Sequence, residues 1–106
     1  MSGLESQTVT KIKQCLAEVP EIDKAILYGS RAKGNYKTGS DIDLTLFGNG
    51  LTHPLLYILQ EKLNNLYLPY TFDLSIFINL ENPDLIDHIQ RVGVVFYEKK
   101  EGIFCA

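Results

Sequence analysis

The chain is 106 residues long, 45% hydrophobic and 22% charged, which supplies one small core and little more. Its net charge of −3 sets it against the broad basic footprint that DNA or RNA demands, so no direct nucleic-acid binding is expected. No apolar run is long enough to span a membrane, no signal peptide is visible at the N-terminus, and Cys15 and Cys105 make neither a zinc site nor a disulfide framework; a cytoplasmic protein with no membrane role is expected.

Residues 1–4 are expected to be loose. From Glu5 to Val19, the residues Val9, Ile12, Leu16 and Val19 recur at helical spacing, and Pro20 closes the helix. Ala25 to Tyr28 is a short apolar run ended by Gly29, the signal of a buried strand over 24–28. Ser30 to Lys33 reads as a short helix, broken by Gly34, Asn35 and the Gly39-Ser40 pair. A second strand covers 41–47, with Ile42, Leu44 and Leu46 on one face and Asp41, Asp43 and Thr45 on the other. Thr52 reads as an N-cap with Pro54 in the first turn, and the helix is expected to reach Tyr67. Leu55, Leu59, Leu63 and Leu66 form its core stripe, while Leu56, Tyr57 and Ile58 widen it beyond the needs of a small domain. The third strand, 71–78, sets Phe72, Leu74, Ile76 and Ile78 on one face and Asp73 and Ser75 on the other. Asn82 and Pro83 open a helix through Val92, with Leu85, Ile89 and Val92 inward, and Val94 to Tyr97 is a last strand. This order implies an α/β (α+β) fold: a small mixed sheet with helices packed mainly on one face, in a single domain.

The polar residues suggest phosphate chemistry on a divalent metal. Asp41 and Asp43 lie about 6.6–7 Å apart along a strand, near enough to lean toward one point. Their hard oxygens suit Mg²⁺, and two such ions about 3.5–4 Å apart serve in-line displacement at phosphorus. Asp73 supplies a third carboxylate if its strand lies beside theirs; it interrupts an apolar strand, where an unpaired buried charge is costly. Three clustered carboxylates repel, so at least one is expected to have a raised pKa. Gly29 and Ser30 offer outward N–H groups and a hydroxyl for phosphate oxygens, and Arg31 or Lys33 neutralises them, with Lys37 nearby. His53 and His88 read as surface residues, and Asp84 and Asp87 as complements to a helix dipole. The tyrosines and phenylalanines read mainly as core, with Leu56, Tyr57, Ile58, Ile103 and Phe104 as candidates for a partner surface.

Gly29-Ser30, then ten residues, then Asp41-Ile42-Asp43, with a later strand Asp73, resembles the nucleotidyltransferase superfamily typified by DNA polymerase β, and most of all its minimal nucleotidyltransferases. The resemblance implies transfer of a nucleoside monophosphate (AMP from ATP) to an acceptor hydroxyl. It implies Asp41, Asp43 and Asp73 as catalytic and metal residues for two Mg²⁺ ions, with Mn²⁺ as a substitute. It implies Gly29, Ser30, Arg31 and Lys33 as the nucleotide-binding set. Proteins of this kind pair with an all-helical HEPN protein in two-component or toxin–antitoxin systems. Two alternatives stand beside this reading: an antitoxin or assembly subunit that acts by contact alone, and a small-molecule transferase of the aminoglycoside-modifying kind. A homo-oligomer is left open.

Overall fold

The structure, a computed structural model, describes residues 6–28, 41–68 and 70–99. The expected short helix at 30–33 and the tail residues Ile103, Phe104 and Cys105 lie outside the described residues. Among the described residues, four strands form the sheet: β1 (Lys24–Tyr28), β2 (Ile42–Phe47), β3 (Phe72–Ile76) and β4 (Val94–Glu98). Their order is β3-β2-β1-β4. β1 runs antiparallel to both β2 and β4, whereas β2 and β3 are parallel, so the sheet is mixed as expected.

Strict alternation in β2 decides which face is packed. Ile42, Leu44 and Leu46 are each 0% exposed. They join Ala25, Leu27, Phe72 and Phe96 against helix α1 (Ser6–Ala17) and helix α2 (His53–Asn64). α1 contributes Ile12, Cys15 and Leu16 to this layer, and α2 contributes Leu59 and Leu63. Each fully buried aliphatic side chain of this kind contributes roughly 1.5–3 kcal/mol. Cys15 is a free, buried thiol whose pKa is pushed up by burial, which suits a small core residue.

α2 starts where expected, with the Thr52 hydroxyl accepting from Leu55 N–H at 3.4 Å. It stops at Asn64 rather than Tyr67. The Asn65 N–H turns back to the carbonyls of Glu61 and Leu63, and Tyr67 takes a left-handed φ of 55° that no helix tolerates. β3 also ends early. A 3-10 turn, Phe77–Asn79, follows it, so Ile78 faces solvent instead of extending the inward stripe. Phe77 instead stacks on Phe47, with ring centroids 4.5 Å apart.

Helix α3 (Pro83–Val92) begins under an Asn82 cap, whose side chain accepts from the N–H groups of Asp84 and Leu85. It covers the opposite face of the sheet, where Ile89 packs with Ile26 and Tyr28. Two of the three described helices thus share one face and the third lies on the other. Among the described residues, no helix is long and apolar enough to cross a membrane.

Candidate active site

The face that α3 only partly covers carries the polar residues of the strands. Parallel pairing sets Asp43 of β2 directly beside Asp73 of β3, and Thr45 beside Ser75 one step further along. On the other side of Asp43 stands Tyr28 of β1. The strand neighbourhood anticipated for Asp43 and Asp73 is therefore present.

Burial is distributed differently from the sequence expectation. Asp73 is exposed, because β3 is an edge strand and Asp73 lies near its start. Asp43, in an interior strand, is the partly buried carboxylate. Its pKa is pushed up to about 6, first by burial, then by the charge of Asp73, and then by that of Asp41. One raised carboxylate in a repelling cluster is what the sequence predicts, and the interior position picks out Asp43.

Asp41 immediately precedes β2 and is exposed. The Thr71 hydroxyl donates to its Oδ1, while the Ile42 N–H donates to the Thr71 carbonyl at 2.9 Å. Sequence reasoning missed Thr71, although 71, 73 and 75 share a strand face. Among the described residues, no three His, Cys, Asp or Glu side chains stand close enough to hold a metal ion. Full convergence of the three carboxylates, as expected from spacing, is thus not what the side chains adopt: Asp43 and Asp73 face each other and Asp41 is engaged by Thr71. The donor set is nevertheless all hard oxygen, and the mutual repulsion at Asp43 is what a divalent cation would relieve, so the residues fit Mg²⁺ rather than a thiolate-loving metal. Gly29, Ser30, Arg31, Lys33 and Lys37, the expected phosphate-binding set, lie outside the described residues.

His53 is exposed at the start of α2, as expected. His88 is not a plain surface residue. It is partly buried, and its ring meets Tyr28 edge-on at 6.4 Å and 79°. A cavity of about 490 Å³ lies at the far ends of β2 and β3, lined by Phe47, Ile76, Phe77, Leu80 and Ile86.

The profile of the polymerase beta nucleotidyltransferase family matches residues 10–102. The chain belongs to that family. As a nucleotidyltransferase it shares its fold with several solved structures. A toxin–antitoxin complex with AMP-PNP matches at 21% identity with a TM-score of 0.71, covering 88% of this chain and 75% of that one. The MntA–HepT toxin–antitoxin matches at 18% identity and a TM-score of 0.67, covering 90% and 74%. The complex of tri-AMPylated Shewanella oneidensis HEPN toxin with MNT antitoxin matches at 19% identity and a TM-score of 0.67, covering 93% and 74%. No curated protein matches the nucleotidyltransferase chain. Divalent metals are the usual companions of this family's chemistry.

Proposed function

We propose that this nucleotidyltransferase moves AMP from ATP to a hydroxyl of a helical HEPN-type partner protein, as the antitoxin half of a two-component system. The observation that carries the reading is the parallel register that sets Asp43 beside Asp73 within a domain of this family. The relatives in toxin–antitoxin complexes, one with AMP-PNP and one with an AMPylated HEPN toxin, support the nucleotide and the partner.

In this reading Asp41, Asp43 and Asp73 would hold two Mg²⁺ ions. When bound, these neutralise charge on the phosphate oxygens and polarise the phosphorus. Gly29, Ser30, Arg31 and Lys33 hold the triphosphate. The acceptor oxygen attacks the α-phosphorus in line, the bond to pyrophosphate breaks, and pyrophosphate leaves. Asp73, the exposed member of the pair, takes the proton of the acceptor hydroxyl, because a base must be reachable by a second substrate. Asp43 is held inside and keeps its place between Tyr28 and Asp73.

Exposed Tyr57 and Ile58 on α2 favour a second reading, in which the chain blocks its partner by contact alone. Labelled ATP with Mg²⁺ separates the two. Label transferred to a co-expressed HEPN protein, and lost with Asp43→Asn, supports transfer. Tight complex formation with no labelled product establishes contact alone. Label appearing on an aminoglycoside would instead assign the small-molecule alternative.

A further inference from the structure

Alternation along β3 would carry Ile78 inward with Phe72, Leu74 and Ile76, yet the chain turns it out. The Leu80 N–H donates to the Phe77 carbonyl at 3.0 Å and closes the 3-10 turn that ends the strand. Ile78 is left 84% exposed, the most exposed large aliphatic side chain among the described residues. A single surface isoleucine is ordinary. This one stands on the rim of the cavity of about 490 Å³ at the far ends of β2 and β3.

The chemistry of that cavity selects its occupant. Its walls include the stacked rings of Phe47 and Phe77, with Leu80 and Ile86, and all four are only half-buried. Asp23 is the one charged side chain in the lining among the described residues, and it is paired with Lys99 at 3.8 Å. Asn49 is the only other polar side chain there. A polar small molecule needs several convergent polar groups to orient it, and this lining lacks them. The lining fits an aliphatic side chain, with no unmatched charge to repel it. The matching side chain is on the rim itself, and at 84% exposure it does not fill the cavity that it borders. A knob and its hole on one patch meet the condition for a two-fold contact, in which each copy gives what the other receives. On separate faces they would instead propagate an open chain of copies.

We propose that this patch joins two copies of the chain: Ile78 of one copy seats in the cavity of the second, and the reverse contact follows by symmetry. Phe47 lies four residues beyond Asp43, roughly 13 Å along the strand, so the carboxylates stay open in the dimer. Two anchors of one side chain each make a small interface, and a weak dimer is expected. The inference does not rest on the transfer reading above, and either can fail without the other.

The test is sedimentation of the full chain between about 1 µM and 1 mM, a range that covers weak association. The mass is expected to climb from one chain toward two. Ile78→Glu should raise the dissociation constant at least about thirtyfold, as loss of a central anchor does. Its melting temperature in dilute solution should equal that of wild type, because the side chain is exposed. Ile78→Leu, which keeps an aliphatic knob, should still dimerise. In a mixture of methyl-labelled and unlabelled chains, isotope-filtered NMR should connect Ile78 of one copy with Leu80 and Ile86 of the other. A wild-type chain that stays monomeric to 1 mM overturns the proposal, as does a dimer that Ile78→Glu leaves intact or one without those cross-copy contacts. A monomer whose capture of a co-expressed HEPN protein is lost in Ile78→Glu also overturns it, and assigns the cavity to that partner instead.

Discussion

Asp43 and Asp73 are cross-strand neighbours in a parallel pair, yet Asp43 is partly buried and Asp73 exposed, and the Asp43 carboxyl is pushed up to about 6 from an ordinary 3.8. The asymmetry follows from topology. β2 is flanked on both sides, while β3 is an edge. The same two carboxylates therefore divide into an inner group that is costly to ionise and an outer group open to a second substrate.

The inner carboxylate should make the metal-free protein less stable as pH rises. Below about pH 4 the group is protonated in both folded and unfolded chains and has no effect. Between about pH 4 and 6 the folded protein holds a proton that the unfolded chain has released, so stability falls. Above about pH 6 the whole cost is present. Asp43 is partly exposed, so solvent screening reduces that cost to about 1 kcal/mol. Asp43→Asn should thus be more stable than wild type at pH 8 in EDTA, by about 1 kcal/mol, and equal to it near pH 4. Urea unfolding at the two pH values measures this, and a variant less stable at pH 8 would remove the repulsion from the account.

Cation binding should reverse the same cost. A divalent ion that binds only the folded chain stabilises it by about 2.7 kcal/mol at a hundred times its dissociation constant. The melting temperature should rise with Mg²⁺, and rise more at pH 8 than at pH 5, because at pH 5 the ion must displace a proton from Asp43. Asp41→Ala/Asp43→Ala should show no rise. An equal response in wild type and double variant would place the ion elsewhere.

Most of this arrangement could be read from residue order, and the reasons for the remainder are local. Ile42, Leu44 and Leu46 alternate so strictly that their inward face, and hence the shared face of Asp41, Asp43 and Thr45, needs no coordinates. Asp73 and Ser75 alternate in the same way, but that their strand lies beside β2 was only a condition in the sequence and comes from the register. The depth of each carboxylate was not, because edge and interior strands look alike in sequence, and Asp73 proved to be the exposed one. The 3-10 turn that turns Ile78 out depends on Phe77 meeting Phe47, a contact thirty positions away in the chain. Tyr28 reads as an ordinary strand-ending aromatic, and only the register across three strands places it in one row with Asp43 and Asp73.

Thr71 should matter to the site and hardly at all to the fold. Its hydroxyl donates to Asp41 Oδ1, and both residues are exposed. Thr71→Val keeps the β-branched shape and the carbonyl that receives the Ile42 N–H, but leaves Asp41 unrestrained. Stability is expected to change by less than about 0.5 kcal/mol, as at other exposed sites. AMP transfer should fall by about tenfold, in line with the loss of a group that orients a ligand. Thr71→Ser, which retains the donor, should restore most of it. Equal activity in Thr71→Val and wild type would show that the Asp41 contact is dispensable.

The joint between α3 and β4 should tolerate no side chain at Gly93. A Cβ there would stand 2.4 Å from the Ile89 carbonyl oxygen and 2.6 Å from Ile26 Cγ2. The first of these is backbone, and the Gly93 N–H already donates to that same carbonyl at 2.8 Å. Neither partner can retreat cheaply, because Ile26 and Ile89 are themselves packed together with Tyr28. Gly93→Ala should therefore cost about 1–3 kcal/mol, the range for overpacked cores. Since α3 also carries His88, its displacement should loosen the Tyr28 ring and lower transfer more than an equally destabilising change in α1 does. Cys15→Ala, in the α1 core, is the matched control. Equal losses of activity in the two variants at equal stability would separate α3 from the site, whereas a larger loss in Gly93→Ala would tie the helix to the carboxylate row through Tyr28.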